Sequence, residues 1–313
     1  MLNVLPTLGQ SSYYFPKAQV FDENIPTPES FLGYQIGARQ TRYDRVVAYM
    51  EELARKSDRV TIETIGYTYE HRPQVIVTIT TPENHSKLQV IQQEHLQLAN
   101  PTKAAPELAN MPVLVHLGYN VHGNESSSTE VSMLTAYYLA ANKDAQTERH
   151  LEEAVIFIDP ALNPDGRDRH TNWVSMHQGD PSVSDPADRE HNEVWPGGRG
   201  NHYWFDLNRD WLPLVHVESK NRMAFFHKWL PNIYIDFHEM GTNATYFFEP
   251  TKTNSSENRL IPRNNYDGLN NLMARYHAAA LDELGSLYFT KEQFDNIIRD
   301  MGVLMQISRV DWH

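Results

Sequence analysis

The sequence predicts an α/β domain in which a mixed, mostly parallel central sheet is flanked by helices. Short apolar runs, typical of buried strands, alternate along the chain with longer segments of helical period. The 313 residues are 40% hydrophobic and 21% charged, which suits a soluble protein with a large core. No repeat or linker divides the chain, so we expect one domain over residues 37–296.

The first third of the chain predicts an arm, two helices and two strands. Residues 1–36 are rich in Pro, Ser and Tyr without any period, which favours an extended N-terminal arm. A helix is expected from Tyr43, where apolar residues recur at helical spacing. The runs RVTIETI and QVIVTIT then predict two strands separated by a turn. The segment HSKLQVIQQEHLQLA is expected to be helical up to the break at Asn100-Pro101.

The rest of the chain alternates buried strands with helices. The predicted strands are PVLVHLG, AVIFIDP and NIYIDFHEM. The predicted helices are STEVSMLTAYYLAAN, VESKNRMAFFHKWL and a long final one, YDGLNNLMARYHAAALDELG, which stops at Gly285. This alternation is the pattern of a parallel sheet covered by helices. His277, on the apolar stripe of the final helix, is expected to be structural.

Composition excludes several classes of partner and cofactor site. A net charge of -13 and a pI near 5.6 argue against nucleic acid and anionic membranes as partners. No apolar run is long enough to span a bilayer, and the N-terminus has no recognisable signal peptide. We expect a secreted or periplasmic protein if a signal peptide lies upstream of this start, and a cytoplasmic one otherwise. The chain has no Cys but 15 His, so any metal would be held by imidazole and carboxylate.

Three potential metal ligands follow two of the predicted strands. His122 and Glu125 come just after PVLVHLG, and His238 comes at the end of IYIDF. Because the carboxyl ends of parallel strands meet at one edge of a sheet, we expect these residues to lie close together. An isolated HxxE is usually a surface pair, but a second histidine at the end of another strand favours a metal site. Two imidazoles and a carboxylate, with one position left to water, are the ligands of a catalytic zinc.

Three more fragments fall at comparable places: NPDG at 163–166, DLNRDW at 206–211 and HEMG at 238–241. With these motifs the sequence resembles the zinc carboxypeptidase family (the M14 metallopeptidases). It is especially similar to the large, often secreted bacterial branch that carries DFHEMG at this point. The resemblance runs from about residue 25 to 296. HxxE alone is a weak signal, but four motifs in the correct order are specific together.

The resemblance implies a Zn²⁺ enzyme that hydrolyses the last amide bond of its substrate. That substrate would be a peptide or an acyl amino acid with a free carboxylate. By the same resemblance, Asp206 orients His122 through the ring nitrogen that does not bind metal. Asn208 and Arg209 hold the terminal carboxylate, for which a guanidinium is a good bidentate partner.

Other positions near the motifs receive weaker assignments. The family often has an arginine just before the HxxE glutamate, where this chain has Asn124. The oxyanion arginine of the family follows NPDG by about a dozen residues, whereas here Arg167 and Arg169 lie much nearer and are both candidates. The glycines of WPGGRGNHYW are expected only to shape a loop. Glu239 is expected to point away from the face of His238, because side chains alternate along an extended chain; Thr242 excludes a zincin HExxH motif.

The C-terminal tail departs from the family. The resemblance implies a general-base glutamate on a late strand in a setting like FEQAS, yet no glutamate follows Glu292. We therefore expect the last strand or strands and helix of the domain to be missing. Residues 297–313 have two explanations: a reading-frame shift, since their codons permit YPGYGSTYADLQGGLA in another frame, or a divergent strand, MGVLMQIS, with Gln306 near the glutamate position. The chain is then an impaired carboxypeptidase or an inactive homologue that binds zinc and carboxylate.

Overall fold

The computed structural model describes residues 14–15, 19–239, 261–286 and 288. Its strands are β1 (Val60–Tyr67), β2 (Pro73–Ile79), β3 (Val113–Tyr119), β4 (Ala154–Asp159) and β5 (Ile233–Phe237). Its α-helices are α1 (Pro28–Leu32), α2 (Tyr43–Lys56), α3 (Pro82–Leu98), α4 (Ser127–Ala141), α5 (Ala145–Glu153), α6 (Pro164–His177), α7 (Val217–Trp229), α8 (Arg263–Gly268) and α9 (Ala274–Leu284). Two 3₁₀ turns, Arg189–His191 and Leu207–Arg209, and a π-helical turn, Leu269–Met273, complete the described elements.

The five strands form one mixed sheet in the order β1-β2-β4-β3-β5. β1 and β4 each pair antiparallel with β2, whereas β3 runs parallel to both β4 and β5. The α/β prediction with a mixed sheet is confirmed. The parallel part consists of the three apolar runs PVLVHLG, AVIFIDP and NIYIDF, so the carboxyl ends of β3, β4 and β5 share one edge.

Helices cover both faces of the sheet. Consecutive residues of β2 show this, because Ile76 packs on one face and Val77 on the other. One face packs against α2 and α4, through residues that include Val46, Met50, Leu53, Met133 and Tyr137. The opposite face packs against α3 and α7, through Ile91, Phe225 and Trp229. The sheet is therefore rigidly buried between two layers, which fixes the positions of the loops at its carboxyl edge.

Within residues 37–296 two helices were not predicted, α5 and α6. Both begin with a side-chain cap: Asp144 accepts the N–H groups of Gln146 and Thr147, and Asn163 accepts that of Gly166. Their sequences are largely polar and lack a clear apolar period, which is why their helical character was not recognised. NPDG is therefore the start of a helix, with proline in its first turn.

The predictions for the two ends of the chain differ in how well they match the structure. The predicted arm contains a short helix, α1, which Thr27 caps, and its Ile25, Leu32 and Ile36 are buried in the core. It is therefore packed rather than simply extended, within residues 19–36. The final helical run ends at Gly285, whose φ of 67° is left-handed, as predicted. Thr242, Glu292, Gln306 and the tail 297–313 lie outside the described residues. None of the described helices is long and apolar enough to cross a membrane.

Candidate metal centre

The ends of β3 and β5 bring the predicted ligands together. The strands are in parallel register up to Tyr119 and Phe237, so both loops leave the sheet at the same height. Asn120, at a left-handed φ of 59°, turns the chain immediately after β3. Its side-chain amide donates to the backbone carbonyls of His122 and Glu125, each at 2.9 Å. This ties the HxxE loop into a compact turn.

One ligand atom each from His122, Glu125 and His238 lies within 4.8 Å of the others. Glu125 bridges the imidazoles, since its Oε1 is 2.8 Å from His122 Nδ1 and its Oε2 is 3.0 Å from His238 Nδ1. The two Nδ1 atoms are 3.2 Å apart. Two imidazole nitrogens and a carboxylate at this spacing fit the ligand preferences of Zn²⁺.

Each histidine also contacts a carboxylate through its outer nitrogen. Nε2 of His122 is 2.9 Å from Oδ1 of Asp206, the residue assigned to this task from the family resemblance. Nε2 of His238, just past the end of β5, is 3.0 Å from Oδ2 of Asp236 near the end of that strand. Such contacts fix the tautomer and orientation of a metal-binding imidazole. The Asp236 contact was not predicted, although the spacing of two residues on a strand places both side chains on one face.

The mutual contacts shift the pKa of every member of the cluster. Burial by itself lowers the pKa of His238, but the charge of Asp236 and hydrogen bonds to Asp236 and Glu125 raise it to about 10. The pKa of His122 is also raised, because its bonds to Asp206 and Glu125 outweigh burial. Burial raises the pKa of Glu125, but both imidazoles together lower it to about 2. The same contacts thus favour the protonated form of both imidazoles and the ionised form of Glu125.

Three loops pack backbone against backbone behind this cluster. A side chain at Gly166, in NPDG, would place its Cβ 2.3 Å from the carbonyl oxygen of Gly198. A Cβ at Gly123, in the HxxE loop, would be 2.2 Å from the backbone nitrogen of Arg167. Only glycine permits both approaches. The start of α6 therefore serves to seat the loop around Gly198 against the metal-ligand loop.

That seating places Arg199 at the site. Its carbonyl accepts a hydrogen bond from the side chain of Asn163 at 3.1 Å. Its guanidinium lies 3.4 Å from Oε1 of Glu125 and 3.1 Å from Oδ2 of Asp206. The side chain remains 50% exposed, so it faces the open side of the cluster. Sequence reasoning missed Arg199, because it treated the glycine-rich segment as a loop without a role.

The two arginines named as oxyanion candidates contact other groups. Arg167 is fully buried, donates to the carbonyls of Thr41 and Ser126, and pairs with Glu130. Arg169 donates to the carbonyls of residues 197, 200 and 201. Both guanidinium groups bond to other loops and side chains, and none of these described partners belongs to the metal-ligand cluster. This geometry favours Arg199 over either candidate.

The DLNRDW segment forms a 3₁₀ turn next to the cluster. Asp206 caps this turn by accepting the backbone N–H of Asn208 at 2.9 Å. Asn208 is buried, and its Oδ1 accepts the indole N–H of Trp211 at 2.9 Å. Arg209 is exposed at the surface. The pair predicted to hold a carboxylate is thus attached directly to the residue that orients His122.

Two further predictions concern Asn124 and Glu239. The side chain of Asn124 donates to Glu193 at 3.4 Å, and Glu193 in turn accepts the backbone N–H of Gly198. It therefore helps to attach the glycine-rich loop. Glu239 directs its carboxylate to the backbone N–H of Ser127 at the start of α4, and its own N–H donates to Glu125 at 3.0 Å. Its carboxylate thus stabilises a helix N-terminus instead of joining the ligand set.

Comparison with known proteins identifies the family. Carboxypeptidase E of Caenorhabditis elegans is 29% identical over 206 residues, which are 61% of this chain and 35% of that protein. A metallo-carboxypeptidase structure from Burkholderia cenocepacia has a TM-score of 0.55 at 14% identity, over 84% of this chain and 55% of that one. The chain thus spans from about a third to just over half the length of these relatives. The zinc carboxypeptidase (peptidase M14) family profile matches residues 46–302, and the chain belongs to this family.

Proposed function

We propose that this chain binds one Zn²⁺ through His122, Glu125 and His238 and hydrolyses the C-terminal amide bond of peptides or acyl amino acids. The observation that carries the proposal is the convergence of three ligand atoms within 4.8 Å of one another. Membership of the zinc carboxypeptidase family supports the same metal. When bound at such a site, zinc polarises the scissile carbonyl and lowers the pKa of a coordinated water.

Asn208 and Arg209 are proposed to hold the free carboxylate of the substrate. Since the Oδ1 of Asn208 already accepts from Trp211, its NH₂ group is the part of the amide that can donate to an anion. The Arg209 guanidinium adds a charged, planar donor on the adjacent residue. Both residues follow Asp206, so the carboxylate clamp and the orientation of His122 depend on one short turn.

Arg199 is proposed to stabilise the oxyanion that forms at the scissile carbonyl. Its guanidinium already contacts carboxylate oxygens of Glu125 and Asp206, so it lies beside the proposed metal ligands. A fixed cation aimed at developing negative charge is among the largest contributions to acyl-transfer catalysis. This role replaces the one that sequence reasoning gave to Arg167 or Arg169.

A second candidate function is binding without turnover. The family resemblance places the general base on a late strand, and none of the described residues is assigned to that role. Without that base, hydrolysis should fall by about 10²–10⁴-fold relative to a complete family member. Zinc and carboxylate binding would survive, because their residues lie within 122–238.

The test compares a peptide with the same peptide amidated at its C-terminus. We expect the zinc-loaded chain to bind the free acid more tightly, and Arg209→Ala to cost the acid about 1.5–3 kcal/mol while leaving the amide unchanged. Arg42→Ala, which removes an exposed arginine paired with Asp44, is the matched control. Calorimetry supplies the affinities, and release of the last amino acid measures turnover.

The outcomes separate the two functions. Zinc-dependent release of the terminal residue that stops on chelation supports hydrolysis. Carboxylate-dependent binding with no release supports the binding homologue. Equal losses for acid and amide in Arg209→Ala would show that the carboxylate is held elsewhere.

A further inference from the structure

Two tryptophans stand exposed on the loop that carries Arg199. Trp195 is 76% exposed and Trp204 is 54% exposed, and their rings meet edge to face with centroids 4.9 Å apart. We propose that this pair is a subsite for an aromatic or branched apolar side chain of the substrate, in the part of the peptide that precedes the scissile bond. The inference rests on the proposed function, because it assumes a peptide held at the zinc site.

The loop that carries the pair is held against the metal-ligand residues. Glu193 accepts the backbone N–H of Gly198 at 2.7 Å, which closes the loop around Trp195, and it also accepts the side-chain amide of Asn124, in the HxxE loop, at 3.4 Å. Arg199 contacts Asp206 at 3.1 Å. Trp204 is two residues from Asp206, so their Cα atoms are at most about 7 Å apart. The tryptophans therefore lie on the rim of the proposed active site.

The backbone around Trp204 is held in an unusual conformation. Trp204 has a φ of 62°, in the left-handed region that bulky side chains rarely adopt. The fully buried Asn201 holds this turn, since its carbonyl accepts the N–H of Trp204 and its side chain accepts those of Tyr203 and Phe205. Strain of this kind persists where surrounding contacts enforce it, often at functional sites. Its effect here is a large indole held out into solvent.

The geometry of the pair favours a side chain as the occupant. The two ring planes cross at 62°, so they form an apolar notch and not a single flat platform. Edge-to-face and offset contacts with a third ring are favourable in such a notch. The terminal residue of the substrate is assigned to Asn208 and Arg209, so the rim is left for residues nearer the N-terminus. Val194, which precedes Trp195 in the chain, is also exposed.

The experiment measures binding of non-hydrolysable peptides to the zinc-loaded full chain. The probes are acetylated tetrapeptides with a reduced last amide bond and a constant C-terminal alanine. The other three positions are all glycine in one probe, and in the others a single phenylalanine replaces the glycine at the second, third or fourth position from the C-terminus. We expect one phenylalanine peptide to bind roughly three- to tenfold more tightly than the glycine peptide. Trp195→Ala with Trp204→Ala should remove this gain and leave the affinity for the glycine peptide unchanged.

Controls separate the subsite from folding and from the proposed function. Tyr276→Ala removes an aromatic side chain that is 69% exposed on α9, and it should keep the gain. Trp195→Phe with Trp204→Phe should keep part of the gain, which guards against a folding defect in the alanine variant. Amidated probes test the carboxylate clamp independently: if acid and amide bind equally but a tryptophan-dependent gain remains, the clamp fails and the subsite stands.

Three results would overturn the subsite. The first is equal binding of all peptides by the wild type, and the second is a phenylalanine gain that survives in the double alanine variant. The third is tryptophan-dependent binding of an N-acetylglucosamine disaccharide with no preference among the peptides. That last result would assign the pair to a glycan.

Discussion

His122 and His238 present the same ring nitrogen to the metal-ligand cluster, but their outer nitrogens are held in different ways. Asp206, which contacts His122, belongs to a 3₁₀ turn 84 residues away in the chain. Asp236, which contacts His238, lies only two residues earlier in the chain, near the end of β5. One imidazole is therefore oriented by tertiary structure, and the other by the geometry of an extended chain alone.

The two carboxylates also differ in what else they contact. Asp206 is partly exposed, accepts the backbone N–H of Asn208 and pairs with Arg199. Asp236 is almost fully buried, and its register partner on β3 is Gly118. A change at Asp206 should therefore affect the metal, the clamp and Arg199 together, whereas a change at Asp236 should affect the metal alone. Asp206 is thus shared between His122, the clamp turn and Arg199, whereas Asp236 contacts only His238 among the site residues described.

The largest expected loss of zinc affinity comes from removing one of the two imidazoles. We expect the wild type to hold one zinc per chain, and His122→Ala to lose more than about a thousandfold in zinc affinity, because a direct ligand disappears. His150→Ala, at an exposed position on α5, is the control and should keep its zinc. Metal analysis after dialysis measures both; equal zinc in His122→Ala and the wild type would contradict the ligand assignment.

The next largest effect is the release of protons from the two histidines when zinc binds. The pKa of His238 in the metal-free chain is about 10, and that of His122 is also raised. Below these values the imidazoles carry a proton that zinc must displace, so zinc affinity should rise with pH, by about tenfold per pH unit for each proton released. Calorimetry between about pH 6 and pH 8, in buffers of different ionisation enthalpy, counts these protons.

The same measurement on Asp236→Asn tests whether Asp236 sets the pKa of His238. The charge of Asp236 is the largest influence that raises the pKa of His238, so its loss should bring that pKa down and flatten the pH dependence. A slope identical to the wild type would show that Asp236 does not control the protonation of His238.

The carboxylates themselves should each contribute about 10–100-fold to zinc affinity. Asp206→Asn and Asp236→Asn keep the side-chain volume while removing the charge. Because they act on different imidazoles, their effects on the free energy of zinc binding should add in the double variant. Asp206→Ala, which also removes the cap of the turn that carries Asn208 and Arg209, should in addition weaken binding of a free-acid peptide, whereas Asp236→Ala should not. Strong non-additivity would mean that the two carboxylates act through one shared group.

The proposed zinc ligands could be predicted from the sequence because their convergence depends on a simple rule. Apolar runs identified β3 and β5, and parallel strands end at a common edge, so His122, Glu125 and His238 had to converge. Asp236 follows from an equally local rule, the alternation of side chains along an extended chain, and could have been predicted.

Arg199 could not be found in this way. The segment between α6 and Asp206 has no hydrophobic period, and its course depends on backbone contacts that only Gly166 and Gly198 allow. The position of the Arg167 side chain could not be read from the motif either. NPDG begins α6, and the helix directs this arginine into the core beside Glu130. Its proximity in sequence to a motif did not translate into proximity to the metal ligands.

The smallest expected effect comes from Arg199, and it tests the distinction between the carboxylates most directly. Arg199 forms ion pairs with Asp206 and Glu125 and not with Asp236, and half of its side chain is exposed. Its positive charge opposes a divalent cation at the cluster, so Arg199→Met should raise zinc affinity, by up to about fivefold given the weakness of exposed ion pairs. In a double-mutant cycle, the variant should couple to Asp206→Asn and not to Asp236→Asn. Equal coupling to both would show that Arg199 acts through the general field of the site; a fall in zinc affinity would show that it supports the ligands instead of competing with the metal.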